Sequence, residues 1–147
     1  MSHHWFFATN PVHYHWDTLF VKGKDLWDGV RSTSARRYLK QVRKGDKVVC
    51  YHGAPDKSVY AIAVAASDPY VGPPLPGRRA ARQERRIIDL KAVHRFPRQV
   101  PLTELKTNRA LRRMKFLGRT RLAVTPLSGA EYQEILRLAG LRMDMLP

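Results

Sequence analysis

The sequence predicts an α+β fold built around one small, strongly bent sheet or barrel. The first observation is the element count, about five or six strand segments with three or four short helical segments. The second is their order, because strands and helices are interleaved without a regular strand–helix–strand rhythm. The third is the absence of a glycine-rich strand-to-helix turn, which argues against a doubly wound parallel sheet. With 147 residues, 44% of them hydrophobic, the chain is long enough for one domain, residues 1–147, with its own core.

The first third of the chain predicts one strand and two helices. The apolar run HWFFA is a strand, and VHYHWDTLF is a short helix. The segment LWDGV is too short and too interrupted by glycine for regular structure. One of the residues 32–34 caps the second helix, and Gly45 marks its end. The apolar stripe of this helix consists of Ala35, Leu39 and Val42.

The middle of the chain predicts three strands and one long loop. KVVCYH and SVYAIAVAAS are rich in small and β-branched residues, which favours strands of a sheet buried on at least one face. Residues 68–86 are rich in proline and arginine and show no periodicity, which predicts a surface loop whose arginines form an arm over a phosphate backbone. IIDLKAVHRF alternates between apolar and polar residues, which predicts a strand. Pro97 and Pro101 are expected to frame a break after it.

The last third predicts helical turns, a strand and a final helix. LTELKTNRALRRM is read as one or two short helical turns, and RLAVTPL is the last strand. Ser128 and Glu131 have the spacing of a capping box, which predicts an amphipathic helix that ends at Gly140.

Charge is the most informative part of the composition. The chain has 27 Lys and Arg residues against 12 Asp and Glu residues, a formal net charge of +15. Such a surface favours polyanionic partners. A membrane is a weaker interpretation, because the sequence shows no long basic amphipathic helix. The single cysteine excludes an intramolecular disulfide and fits a reducing compartment. Because no apolar run is long enough to span a bilayer and no signal-peptide pattern is present, we expect a cytoplasmic protein, or a nuclear one in a eukaryote.

Six segments, in order along the chain, resemble the EVE domain family of the PUA-like superfamily. They are HWFFATNP, LWDGVRSTSARRYL, VRKGDKVVCYHG, YAIAVAASDPY, IDL and RLAVTPLS. The Trp-Asp-Gly-Val-Arg segment at Trp27 and the Tyr51-His52 pair are fairly specific in combination. The resemblance implies a PUA-like pseudobarrel with a pocket for a single base, related to the YTH and SRA readers of modified bases. The chain departs from the family pattern at residues 8–11, 32–34 and 53, and Arg85 or Arg86 stands where the family has a tryptophan.

Such a pocket needs aromatic faces for stacking, fixed polar groups for the base edge and a basic approach for the strand. The candidate base-binding residues are Trp5, Trp27, Asp28, Gly29, Ser32, Tyr51, His52 and Gly53. The candidate phosphate-binding residues, which position the strand without reading it, are Arg31, Arg36, Arg37, Lys40, Arg78, Arg79 and Arg82. Trp5 is equally consistent with a core position. Because side chains alternate along a strand, only one of Tyr51 and His52 is expected to face the pocket.

Other chemistries have less support. Cys50 and His52 share a strand face, but no orienting group accompanies them, and a buried structural thiol is the simpler interpretation. The N-terminal histidines show no metal-binding spacing. We therefore expect a monomeric, non-catalytic binding domain without metal or cofactor. Its partner is DNA that carries a methylated or hydroxymethylated cytosine or a methylated adenine. The alternative is a modified nucleotide in RNA or tRNA, or an accessory role in an RNA-modification or restriction system.

Overall fold

The computed structural model describes residues 3–73 and 85–142. Within these ranges the chain forms seven strands: β1 (His4–Thr9), β2 (Lys24–Trp27), β3 (Lys47–His52), β4 (Ser58–Ala65), β5 (Tyr70–Gly72), β6 (Arg85–Pro101) and β7 (Val124–Leu127). The helices of the same ranges are α1 (Trp16–Lys22), α2 (Thr33–Leu39), α3 (Leu102–Thr107), α4 (Lys115–Gly118) and α5 (Gly129–Leu138), with a 3₁₀ turn at Arg109–Leu111. The predicted α+β class is confirmed.

Six strands form one sheet in the order β2-β6-β4-β3-β1-β7, and β5 pairs with β6. β1 and β3 are parallel, and the other neighbours are antiparallel. The parallel register brings the carboxyl ends of β1 and β3 together, with Thr9 opposite His52. Just beyond them, the backbone N–H of Gly53 donates to the carbonyl oxygen of Thr9 at 2.9 Å.

The sheet separates two apolar clusters. On β1, Trp5 and Phe7 enter the first cluster, whereas Phe6 enters the second, as the alternation of a strand requires. α1 and α2 contribute to the first cluster, and residues 102–141 supply helices to the second. A residue's place on its strand therefore decides which cluster it joins.

α2 connects the two edges of the sheet. It follows β2, which forms one edge, and it lies against β7, which forms the other. The hydroxyl of Ser32 caps the helix by accepting a hydrogen bond from the N–H of Ala35 at 3.1 Å. Ala35 and Leu39 are buried in the first cluster. The helix thus closes the open side of the sheet, as in a pseudobarrel.

Three predictions about strands and loops are wrong. Part of LWDGV is the strand β2, because Trp27 and the three residues before it pair with β6. The predicted loop 68–86 begins and ends in strand, since β5 pairs with Arg85–Ile87. The middle of that loop, with Arg78, Arg79 and Arg82, lies outside the described residues.

The third concerns Pro97, which does not break the chain. β6 continues through it to Pro101. The pairing of β6 with β4 is irregular between Arg95 and Val100, so Pro97 lies where the ladder lacks regular hydrogen bonds. No helix in the described ranges has the length and hydrophobicity that a bilayer crossing requires.

Candidate nucleic-acid interface

Trp27, the predicted stacking residue, lies at the end of β2 inside the first cluster. Its ring is nearly parallel to the rings of Phe7 and Trp16, with centroids 4.8 and 5.9 Å away. Only 2% of the residue is exposed. The prediction that this ring offers a free face to a base is therefore wrong, because the aromatic residues of β1 and α1 pack against it.

The indole N–H of Trp27 is nevertheless unusual. Within the described part of the chain, Nε1 is buried and has no hydrogen-bond partner. Gly29 lies directly on the indole, and a Cβ built there would be 2.6 Å from Cζ2 and 3.0 Å from Nε1. An unpaired buried donor costs about 1–3 kcal/mol, so it needs a structural or functional reason. Because Gly29 is partly exposed, the donor lies just beneath the surface.

The loop between β2 and α2 is held by an ion pair. Asp28 Oδ2 accepts a hydrogen bond from Arg85 Nε at 2.8 Å, and both side chains are partly exposed. Arg31 donates from its guanidinium to the carbonyl oxygen of Asp28 at 2.9 Å. Arg85 is one of the two arginines that stand where the family pattern has a tryptophan. Its position beside Asp28 places a planar guanidinium at the edge of this loop.

Trp5 and Tyr51 are core residues, which corrects two of the predicted pocket positions. Trp5 is 3% exposed and donates from Nε1 to Asp46 Oδ2 at 3.0 Å. Tyr51 packs on Phe6 and Phe116 in the second cluster, on the other face of the sheet from Trp27. β3 directs Tyr51 and His52 to opposite faces, as alternation along a strand predicts, and only His52 lies on the side of Trp27.

His52 supports α1. Its Nε2 accepts a hydrogen bond from the backbone N–H of Trp16 at 2.9 Å. Trp16 is fully buried, donates from its indole to the carbonyl oxygen of Tyr51, and also packs near Trp27. Burial, together with the neighbouring His15, lowers the pKa of His52 to about 4. A neutral His52 therefore positions Trp16 and does not itself reach an exposed pocket.

The side chains of His15, His52 and Asp56 come within 4.8 Å of one another, as metal ligands do. However, His15 Nδ1 accepts a hydrogen bond from the N–H of Asp17, and His52 Nε2 accepts one from Trp16. A neutral imidazole has a lone pair on only one ring nitrogen, so the other nitrogen of each ring carries the proton. Both lone pairs are committed to the start of α1, and the cluster is a helix cap.

A pocket of about 400 Å³ lies between α2, α4 and β7. Ser34, Arg37 and Tyr38 of α2 face Lys115 and Arg119 across it, with Leu122 and Thr125 completing its lining. Of these residues, only Arg37 is among the candidate site residues predicted from the sequence. The spacing of Lys115 and Arg119, one helical turn apart, was the available signal. Nothing in the sequence placed this turn opposite α2, which is more than 70 residues away.

The sequence segments that form this pocket are strongly basic. No Asp or Glu occurs in residues 29–45 or 105–130, which carry six and seven Lys and Arg residues respectively. In the described ranges, the salt bridges of the chain involve other residues, namely Lys22, His52, Arg85, Arg95, Arg98 and Arg137. Arg37 of α2 lines this pocket, and Arg36 and Lys40 lie on or next to the same helix. The surface beside the loop therefore suits an anionic strand.

A model of the EVE domain family matches residues 3–138. The chain belongs to the EVE domain family. It is 23% identical to human thymocyte nuclear protein 1 over 94% of this chain and 74% of that protein. It spans 56% of the length of the related protein of Danio rerio, at 25% identity over 76% of this chain.

Solved structures share this EVE fold. A hypothetical protein from Leishmania major superposes with a TM-score of 0.85 at 28% identity, covering 95% of this chain and 96% of that one. Human THYN1 in complex with 5-methylcytosine containing DNA superposes with a TM-score of 0.80 at 22% identity, covering 96% and 99%. These likenesses confirm the PUA-like α+β fold expected from the sequence.

Proposed function

We propose that this EVE domain binds DNA and reads one modified base at the loop of residues 27–32. Membership of the EVE family, the charge of +15 and the DNA in the human THYN1 complex support this proposal. The observation on which it most depends is the buried, unpaired indole N–H of Trp27 below Gly29. Because most buried donors in folded proteins are paired, this free N–H is available to an acceptor on a ligand.

The loop offers the groups that a base requires. The guanidinium of Arg85, held by Asp28, provides a planar surface on which a base stacks. Ser32 retains a hydroxyl hydrogen for donation while its oxygen caps α2. A base that enters beside Gly29 meets the indole N–H of Trp27 with an acceptor on its edge. Stacking on Arg85 replaces the aromatic contact that Trp27, Trp5 and Tyr51 do not supply.

The cations of α2 contact the strand on either side of that base. Arg37 and Lys40 are exposed, and Arg36 is partly exposed. Such contacts to phosphates give affinity and orientation without sequence information. Arg31 contributes to binding indirectly, because its hydrogen bond to the carbonyl oxygen of Asp28 stabilises the loop. Arg78, Arg79 and Arg82 keep their proposed role as further phosphate contacts.

The proposal is tested with fluorescence polarisation on oligonucleotides that differ at one base. The set contains cytosine, 5-methylcytosine, 5-hydroxymethylcytosine, adenine and N6-methyladenine. We expect one modified base to bind at least about tenfold more tightly than its unmodified parent. Trp27→Phe keeps a ring in the core but removes the N–H, so it should reduce this ratio. Trp5→Phe is the matched control, since its indole N–H is already bonded to Asp46.

Equal affinity for every oligonucleotide, unchanged by Trp27→Phe, would leave only binding by charge and would refute the proposal. Matched RNA oligonucleotides belong in the same series, because a protein distinguishes RNA through the 2′-hydroxyl. Tighter binding of a modified RNA base would move the function from DNA to RNA. Gly29→Ala adds a second check, since its methyl group would overlap the indole of Trp27 and displace the ring and its N–H.

A further inference from the structure

The pocket between α2, α4 and β7 contains a second unpaired polar group. Thr125 of β7 lines this pocket and is 1% exposed. Its Oγ1 is buried and makes no hydrogen bond to any described residue. A hydroxyl in that position is under-satisfied in the free protein, because neither its hydrogen nor its lone pairs have a partner. It can bond to an oxygen-rich ligand that enters the pocket.

Three cations converge on the same pocket. Arg37 approaches from α2, and Lys115 and Arg119 approach from α4 and the residue after it. Arg119 also donates to the hydroxyl of Ser34 at 3.3 Å, which orients its guanidinium across the pocket. None of the salt bridges between described residues engages Arg37, Lys115 or Arg119. This combination of guanidinium, ammonium and hydroxyl donors matches a phosphate group.

The remaining walls indicate more than a phosphate. Tyr38 and Leu122 give the pocket an aromatic and an apolar side, and its volume of about 400 Å³ exceeds that of a phosphate alone. A deoxyribose attached to the phosphate would pack against these walls. A free inorganic anion would use the cations but leave Tyr38 and Leu122 without contact.

We propose that this pocket binds one sugar–phosphate unit of the nucleic acid strand whose base is read at the loop of residues 27–32. The inference rests on the proposed function, since it assigns a position to the strand that carries that base. α2 connects the two sites directly, because Ser32 caps the helix that carries Ser34 and Arg37. The rise from Ser32 to Arg37 is about 7.5 Å along a helix axis, which is within reach of a neighbouring nucleotide.

Two substitutions test the pocket in the full chain with the oligonucleotide series. Thr125→Val removes the hydroxyl at almost constant volume. We expect binding to weaken by about three- to tenfold, while the thermal midpoint does not fall, because the hydroxyl has no partner to lose. Lys115→Gln should reduce the slope of log affinity against log salt by about 0.7–0.9, the value for one phosphate contact. Lys106→Gln on α3 is the matched control, since it removes the same charge away from the pocket.

A methylphosphonate scan identifies the source of the phosphate. Each phosphodiester of the oligonucleotide is replaced in turn by its neutral analogue, and a 5′-phosphorylated strand is included. In the wild type, one position should matter most, and its effect should be largely lost in Lys115→Gln. An internal position identifies a backbone phosphodiester, whereas an effect confined to the 5′-phosphate identifies a terminal phosphate.

Two results would overturn the inference: Thr125→Val binding like the wild type, or Lys115→Gln and Lys106→Gln changing the salt slope equally. Either result can occur while the preference for a modified base persists, in which case the proposed function stands without this pocket. The opposite result is also possible: the protein binds modified and unmodified oligonucleotides equally well, and Lys115→Gln still lowers the salt slope. That result would support the phosphate site and contradict the reading of a base.

Discussion

His52 shows how one buried side chain acts through another. Its neutral ring accepts the N–H of Trp16, and Trp16 packs near Trp27 beneath the proposed base site. The residue order Tyr51-His52 indicated that only one of the pair could lie on the face of Trp27. The structure assigns that face to His52, yet its contacts end in the core. The positioning role of His52 depends on where α1 packs in the fold. A local sequence pattern does not predict that packing.

His52 makes stability depend on pH. Burial lowers its pKa from 6.5 to about 4, so between these values the unfolded chain binds a proton that the native protein does not. Stability therefore falls as the pH falls from about 6.5 to about 4, by up to about 3 kcal/mol from this residue. Urea denaturation at a series of pH values measures the slope. His52→Gln removes the titrating group, so its slope in this window should be flatter. Equal slopes for the two proteins would contradict this account.

Residue type alone also did not separate the three tryptophans. Trp5, Trp16 and Trp27 are all buried, although the sequence predicts Trp5 and Trp27 at the pocket. What distinguishes Trp27 is the missing partner of its Nε1, whereas Trp5 bonds Asp46 and Trp16 bonds Tyr51. That difference depends on which acceptor the fold brings near each ring.

α2 is the element on which both proposed sites depend. Its start at Ser32 and its apolar stripe followed from the sequence, because capping and helical periodicity are local properties. Its end did not, since the helix stops at Leu39, before Gly45. Gly45 instead has a φ of 95°, which makes it the turn residue that leads into β3. The helix is short because the next residues must return to the sheet.

Ser32 separates the stability of α2 from binding. Ser32→Ala removes the acceptor for the N–H of Ala35 and should lower the free energy of unfolding by about 1 kcal/mol. Ser32→Asn, which has a comparable capping propensity, should retain most of the stability. Chemical denaturation measures both variants. An alanine variant as stable as the wild type would show that the cap contributes nothing, and any binding loss in it would then belong to the hydroxyl itself.

At the scale of the whole molecule, the sheet and α2 enclose a core that contains the single cysteine. The reactivity of this thiol therefore measures how often the core opens. Cys50 lies in β3 between Phe7 of β1 and Ala61 of β4, and it is fully buried. Burial raises the pKa of its thiol, which keeps it protonated and unreactive. The burial of Cys50 agrees with the structural thiol that the sequence predicts.

Thiol labelling should therefore follow the opening of the molecule. In native buffer we expect Cys50 to react with a thiol reagent at least about 10³-fold more slowly than the unfolded chain does. The rate should rise with denaturant in step with unfolding measured by circular dichroism, because exposure of Cys50 requires separation of β3 from its neighbours. The chain in high denaturant is the reference. Rapid labelling of the native protein would show that β3 opens locally.

Local patterns were sufficient for the α+β class, most of the strands, the capped helices and the strongly basic surface. The family motifs also lie in the sequence, because short segments with fixed spacing carry them. The positions of Arg37, Lys115 and Thr125 around one pocket arose only in three dimensions. These residues come together because α2 packs on an edge strand that forms late in the chain. The unpaired N–H of Trp27 depends on a different contact, the packing of Gly29 on its ring. Hydrogen-bond satisfaction is a property of neighbours in space, so a linear pattern cannot report it.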